Sequence, residues 1–408
     1  MADLESHTLN LVCLATYFKG VDFIRECKSH GCHVVLVTKE SMLGEDWPHE
    51  SLDDLVTVPN DAHSDLFIHL VSLMARQNRI DRVIALEEYD VITAAQIREH
   101  LCLPGMSSTT ARLFRDKLAM SMTARTAGIN VPDFVPLLSH DEIRQFMERV
   151  PPPWVIKPRA DVSAIGIRKV QEPDEVWRAI DELDARERLR ERSPHYLLSK
   201  FIAGNVFHVD SIVNKGRVLF AGANQYGRPP IQVAHQGGAY ISHTIARGSD
   251  DERHLLKINR KLVRALGLDK GATHAEFIKH DADGHFYFLE IAARVGGAYI
   301  ADVLEAASGV NLWREWAKLE ISDERPAKKI PTDGKNYAGI ILSLAKQEYP
   351  DTSAYDDLEI VYRVNKRHHV GLIVRSLKLE RVTELLDSYG RRFAEDFIAV
   401  VPPLERAQ

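Results

Sequence analysis

The sequence predicts a multidomain protein of mixed α/β and α+β class: a doubly wound parallel α/β domain first, antiparallel sheets after it, and a small C-terminal α+β segment. Three observations point there. The first hundred residues alternate apolar runs with amphipathic stretches, as in a parallel sheet covered by helices. From residue 196, short branched and aromatic runs follow one another across turn residues, the pattern of antiparallel strands. The 408 residues exceed what one small core serves, so two or three domains are expected.

Taken in order, residues 8–16 (TLNLVCLAT) read as a continuous apolar strand. A helix over about 19–30 follows, stopped by Gly31, then the strand 33–38 (HVVLVT). A short strand at 54–59 precedes a helix over about 63–77, whose Leu66, Leu70, Leu73 and Met74 share one stripe. The strand 82–86 (RVIAL) and a helix over about 89–101 complete a first domain, 1–105, bounded by Leu103-Pro104-Gly105. A long helix over 107–128, strands at 153–159 (PWVIKPR) and IRKV, and a charged helix over about 173–192 form a second unit, 106–195. The third, 196–325, holds the runs YLLSKFI, VFHVDSIV and RVLFAGA, a helix over 250–267, a hairpin around residue 283 and a helical stretch at 299–320. A linker at 326–335 opens the last unit, 326–408, with two strand-like runs (LEIVYRV and HHVGLIVRS) and a helix from about 378 to 395.

Composition excludes several function classes. A net charge of −6 leaves no broad basic footprint for nucleic acid. No apolar run approaches the roughly 18 residues of a membrane span. The start, MADLESH, lacks the basic opening of a secretory signal, so a cytoplasmic location is expected. The turn after the first strand carries only Gly20, which disfavours a dinucleotide fingerprint. Cys27, His30, Cys32 and His33 crowd together in sequence, yet they straddle a helix end and a buried strand, which seldom converge on one metal. Reduced thiols are the expectation.

Two glutamates are the most informative residues. Glu276 lies in GATHAEFIKH and Glu290 in FYFLEIAARVGG, two strands joined by Asp281-Ala282-Asp283-Gly284. A three-residue loop ending at Gly284 sets Glu276 opposite Glu290, on a face shared with Ile278, Phe288 and Ala292. Ala275, Phe277, Leu289 and Ile291 fill the other face, so two like charges meet in a hairpin apolar on both sides. A cation between them relieves that cost, and hard oxygen ligands suggest Mg2+ accompanied by phosphates. The plainer alternative is a glutamate reaching solvent at a sheet edge.

Other residues carry weaker signals. Lys157 ends an apolar strand ahead of the small-residue loop RADVSAIGI (159–167), which suits phosphate, although a surface lysine reads the same way. Lys117 sits on a helix, where lysines are usually solvated. Glu88, with Glu87, follows the strand RVIAL at the carboxyl edge where α/β sheets place ligands; it either holds a substrate ammonium or caps the next helix. Residues 226–243 read as one long loop, with Arg228, His235 and Gly237 as pocket candidates. Gly296 and Gly297 let substrate approach the backbone.

RDKLAM, AGINVP, VIKP with its small-residue loop, LLSKFIAG, THAEF and FLEIAARVGG occur in one order at ordinary spacing. Over about residues 1–320 the chain thereby resembles the ATP-grasp superfamily of ligases. The resemblance implies a lid subdomain with its connecting helix over 106–195 and a large subdomain carrying the ATP and Mg2+ site over 196–325. It implies Lys117 and Lys157 at the ATP phosphates and the N–H groups of Ser163, Ala164 and Gly166 over the β- and γ-phosphates. Ser199, Lys200, Phe201 and Ile202 would read the adenine edge, and Glu276 and Glu290 would hold Mg2+. Arg294, with Lys157, would be catalytic, steadying the transferred phosphoryl group or the tetrahedral adduct.

Three positions depart from the family pattern: Ala292 stands where Asn is common, Ser199 where Glu opens the hinge, and Val206 where a Glu binds ribose. His208 or Asp210 is left to take the ribose hydroxyls, unless His208 is simply a strand residue. Within the superfamily, LEIAARVGG and the C-terminal segment look most like carboxylate–amine ligases of the L-amino-acid ligase type. The implied reaction turns a carboxylate into an acyl phosphate at the expense of ATP and passes it to an amine. Its partners would be small-molecule amino acids, with no nucleic acid and no membrane. The last 70 residues either close the pocket or pair two subunits into a homodimer. An ATP-grasp carboxylase acting on bicarbonate and a non-catalytic ATP-binding sensor are the competing readings.

Overall fold

The computed structural model describes residues 8–161, 166–322, 329–332 and 334–399, the side chains of 234–236 excepted. The N-terminal domain comprises β1 (Asn10–Leu14), α1 (Val21–Ser29), β2 (His33–Lys39), β3 (Asp54–Val58), α2 (Ser64–Ala75), β4 (Arg82–Ala85) and α3 (Val91–His100). Its four parallel strands run in the order β3-β2-β1-β4. β1 and β2 are buried almost throughout because helices cover both faces, which is why they read as unbroken apolar runs. The chain winds one way from β1 to β3 and returns to the other side at β4. The crevice between the ends of β1 and β4 is therefore a topological switch point, where open α/β sheets place ligands.

The expected helix over 107–128 is two helices, α4 (Ser108–Leu113) and α5 (Lys117–Thr126). Asp116 breaks them apart: its carboxylate accepts the Leu118 and Ala119 amides and starts α5 afresh. The break puts Arg115 and Lys117 beside the site described below.

A small sheet follows, built from β5 (Phe134–Pro136), α6 (His140–Arg149), β6 (Trp154–Pro158), β7 (Arg168–Val170), α7 (Pro173–Asp184) and β8 (Tyr196–Lys200). Its order is β5-β8-β6-β7. Because β8 pairs with both β5 and β6, this unit ends at Lys200 and not at 195. The charged helix also stops at Asp184, short of the expected 192.

The remaining elements are β9 (Gly204–Asn214), β10 (Arg217–Tyr226), α8 (Pro230–Gln236), β11 (Tyr240–Thr244), α9 (Asp250–Leu266), β12 (Lys270–His280), β13 (Phe286–Ala292), α10 (Ile300–Ser308), α11 (Leu312–Ile321), β14 (Tyr337–Leu344), β15 (Ile360–Arg363), β16 (His369–Ser376) and α12 (Leu379–Asp396). They form one eight-stranded sheet, β13-β12-β9-β10-β11-β14-β16-β15. The last unit is thus no separate subdomain, since β14 pairs with β11 and extends the large sheet. Residues 226–243 likewise hold a helix and a strand where a single loop was expected.

The first and third units pack as one body. Phe23 of α1 meets Trp316 of α11 edge-on at 5.1 Å, and a single apolar cluster runs from β1 and β2 through β9, α10 and α11. That packing brings the end of β4 against the end of β13. No helix among the described residues is long and apolar enough to cross a membrane.

Candidate active site

β12 and β13 set Glu276 directly opposite Glu290, so both carboxylates leave one face. Two departures from the expected hairpin cancel there. The loop has four residues, closed by the His280 N–H donating to the His285 carbonyl at 2.9 Å. A one-residue bulge at Leu289 then restores the pairing at the glutamates. The face is also not apolar, because His274 and Tyr226 surround Glu276. Glu290 lies on the edge strand with its side chain 34% exposed, whereas Glu276 is 16% exposed and sits deeper.

One lysine meets these acids and a second lies in their field. Lys117, the first residue of α5, places Nζ 2.8 Å from Glu290 Oε2 and donates to the Asp161 carbonyl at 2.6 Å. Lys157, at the end of β6, lies in the field of both glutamates. Burial, and then the nearby Lys117, pull its ammonium down to about 8 against the opposing pull of Glu290 and Glu276. Glu276 Oε2 and Glu290 Oε1 accept no hydrogen bond among the described residues. Two hard, partly unsatisfied carboxylates, one paired with Lys117 and both in the field of Lys157, fit a Mg2+–phosphate group.

Arg294 follows β13 and reaches back to the N-terminal domain. Its Nη2 and Nε meet Glu88 Oε2 at 2.7 and 3.1 Å, while Arg115 Nη1 takes Glu88 Oε1 at 2.6 Å. Burial alone would raise the Glu88 carboxyl, but Arg294, Arg115 and Lys117 outweigh it and hold it at about 2. Glu88 is therefore engaged by two guanidinium groups, where the sequence offered an ammonium receptor or a helix cap. Beside it, Lys19 forms an ion pair with Glu87 at 2.5 Å and lies near Gly297. Tyr17 and Tyr89 pair at 5.3 Å, and Tyr89 donates to Asp161 at 3.2 Å.

Beneath Glu276 lies a buried polar network. Asp210 Oδ1 meets His274 Nδ1 at 2.8 Å, and Oδ2 meets His208 Nδ1 at 2.6 Å. His208 Nε2 contacts Ser242 Oγ at 2.7 Å, and Tyr226 donates to Glu276 Oε1 at 2.6 Å. Burial works against a charged His274, yet Asp210 and Glu276 lift it to about 10, so it stands as an imidazolium between two carboxylates. His208 and Asp210 are wholly buried and paired with each other. Their complete burial and mutual pairing stand against the expectation that either takes ribose hydroxyls.

Ser163 and Ala164 lie outside the described residues, as does the side chain of His235. Gly166 has a left-handed φ of 69° and lies close to Pro158 and Tyr196. In the hinge, the Lys200 amide already donates to the Asp133 carbonyl and the Phe201 amide to that of Pro153. Ser199 and Ile202 are buried, and Lys169 lies over the Phe201 ring at 4.0 Å. Arg228 is exposed beside Gly238, and Gly237 ends α8 at φ 72°. A Cβ on Gly296 would fall 2.8 Å from Asp210 Oδ1 and 3.0 Å from His274 Nδ1, so its smallness serves packing against that pair.

Sequence reasoning missed Lys19, Arg115, Tyr226 and His274. His274 carried a signal, since it is two residues before Glu276 and so shares its face.

Comparisons with known proteins agree with this fold. The model for the ATP-grasp N-terminal domain matches residues 24–105, and that for the ATP-grasp domain matches 150–302, together more than half the chain. An L-arginine-specific L-amino acid ligase of Bacillus subtilis is 22% identical over 255 residues, 62% of this chain and 61% of that protein. A D-alanine–D-alanine ligase of Dechloromonas aromatica (strain RCB) is 22% identical over 209 residues, 48% of this chain and 63% of that one. The chain thus aligns with somewhat under two thirds of each relative's length. The crystal structure of an L-amino acid ligase from Bacillus licheniformis superposes with a TM-score of 0.75 at 19% identity, covering 97% of this chain and 99% of that one.

Proposed function

This chain belongs to the ATP-grasp family, and from that premise we propose that it is an ATP- and Mg2+-dependent ligase joining the carboxylate of one amino acid to the amine of another. The observation that carries the reading is the opposed pair Glu276 and Glu290, flanked by Lys117 and Lys157 and set beside Arg294. Relatives named as ligases of amino acids support amino acids as both partners.

Glu276 and Glu290 would hold the metal ion. Bound there, Mg2+ supplies charge neutralisation for the transferring phosphoryl group. Lys117 and Lys157 add fixed positive charge for phosphate oxygens, and phosphoryl transfer needs such positioning more than a covalent nucleophile. An oxygen of the acid's carboxylate attacks the γ-phosphorus and ADP leaves. The amine nitrogen then attacks the acyl carbon, loses a proton, and inorganic phosphate departs with the attacking oxygen. Arg294 stays charged at any working pH and presents two donors to the oxyanion, with Glu88 fixing its aim.

The test is to incubate the protein with ATP, Mg2+ and pairs of amino acids and to measure phosphate release and product mass. The reading expects one phosphate per amide formed and loss of both in Glu290→Ala. Full turnover in that variant overturns it, as does ATP binding without turnover across every pair.

A further inference from the structure

Asp210 touches neither Glu276 nor Arg294, yet it stands behind both. Through Oδ1 it holds His274 at 2.8 Å, and the far nitrogen of that ring faces Glu276 Oε1 at 3.4 Å. Through Oδ2 it holds His208 at 2.6 Å, whose ring lies 4.8 Å from that of Tyr226, the donor to the same Glu276 oxygen. Against this Asp210–His274 pair the Gly296 backbone rests so closely that a methyl group there would lie 2.8 Å from Asp210 Oδ1 and 3.0 Å from His274 Nδ1. Gly296 is two residues past Arg294.

The three residues His208, Asp210 and His274 bring ligand-type atoms within 4.8 Å of one another, which invites a second metal. Their geometry speaks for a strut. Each histidine spends Nδ1 on the Asp210 carboxylate and turns its other nitrogen outward, His208 to Ser242 and His274 toward Glu276. Partners one layer behind a ligating carboxylate fix its orientation, and a buried network with its members paired holds one arrangement.

We propose that Asp210 is a positioning residue that locks the metal-binding carboxylate of Glu276 and the loop carrying Arg294 into one rigid unit, acting through His274, His208 and the Tyr226 hydroxyl. One buried side chain then sets both the oxygen offered to the ion and the approach of the arginine. The inference rests on the reading of Glu276 as a metal ligand.

The test uses Mn2+ as the probe, titrated into the 408-residue chain with bound ADP and followed by electron paramagnetic resonance. Asp210→Asn keeps the shape but leaves an acceptor for only one histidine. Binding of Mn2+ weakens 10–100-fold in that variant, while ADP affinity without metal stays at the wild-type value. Tyr226→Phe, which removes a single hydroxyl, weakens Mn2+ in the same direction by a smaller factor. Wild-type Mn2+ affinity in Asp210→Asn, alongside its loss in Glu276→Gln, overturns the positioning role and leaves the ligase reading standing. Wild-type Mn2+ affinity in Glu276→Gln itself overturns the reading beneath both. Equal loss of Mn2+ binding and metal-free ADP binding in Asp210→Asn marks a role in folding alone and also overturns the proposal. Where Asp210→Asn gives no soluble protein, Tyr226→Phe decides, and unchanged Mn2+ affinity there overturns it.

Discussion

Glu88 and Arg294 stand 206 residues apart in the chain and meet in a two-point ion pair, with Nη2 and Nε at 2.7 and 3.1 Å from one carboxylate oxygen. The contact ties the carboxyl end of the parallel sheet to the loop after β13, so the N-terminal domain aims an arginine of the large sheet. Replacing Glu88 by Gln leaves Arg294 and Arg115 facing one another without a counter-charge. A buried pair broken from one side costs about 3–5 kcal/mol. Thermal melting should register that loss, and turnover should fall about 10–100-fold while ADP still binds. Since Glu88 titrates at about 2, its stabilisation is full above about pH 4.3 and is lost as pH falls toward 2.

Asp90 has the opposite sign. Burial, reinforced by Glu87, raises its carboxyl to about 7 although it accepts the Thr16 amide at 2.8 Å. The folded state therefore holds a proton that the unfolded chain has released between about pH 4 and 7, and stability is lost as pH rises through that window. Asp90→Asn keeps the acceptor and cannot ionise. Urea unfolding should find it more stable than wild type by on the order of 1–3 kcal/mol at pH 8, the gap closing toward pH 4.

With Lys157 at the phosphates, as proposed, nucleotide binding should be sensitive to alkali. Its ammonium, pulled down to about 8 by burial and by Lys117, is lost as pH rises from 7 to 9. A charge-assisted hydrogen bond to phosphate goes with it, and metal-free ADP should bind about tenfold more weakly at pH 9 by calorimetry. In Lys157→Arg, which stays charged, the affinity should change little over the same range.

At Gly296 the expectation is steric. Ala there meets Asp210, His274 and Ile300 at 2.8, 3.0 and 3.1 Å. Overpacking of this kind costs about 1–3 kcal/mol. A lowered melting temperature with a larger relative loss of turnover should be seen, because the displaced atoms lie behind Glu276.

Much of this was legible in the sequence for local reasons. The strands of the N-terminal sheet are buried on both faces, so their apolar runs announced themselves. The pairing of Glu276 with Glu290 was also legible, though partly by cancellation: the longer loop and the bulge at Leu289 shift the register by one residue each, in opposite senses. What local patterning could not carry was long-range pairing. β14 follows a linker and is a strand because β11 and β16 flank it. Tyr226 and Ser242 reach the glutamate and its neighbours only because β10 pairs with β9, and β11 with β10, in the large sheet. The commitment of Glu88 to Arg294 depends on how two domains pack, and a sequence run of acids says nothing about that. The break at Asp116 could have been read, since Asp ahead of Lys-Leu-Ala is an N-cap signal inside an otherwise helical pattern.

The most direct measurement of the central claim follows oxygen. The acid substrate, carrying 18O in both carboxylate positions, is turned over with ATP, Mg2+ and the amine, and the released phosphate is weighed by mass spectrometry. Transfer through an acyl phosphate predicts one 18O in each phosphate and one retained in each amide. Unlabelled phosphate, or AMP and pyrophosphate in place of ADP and phosphate, would contradict the account.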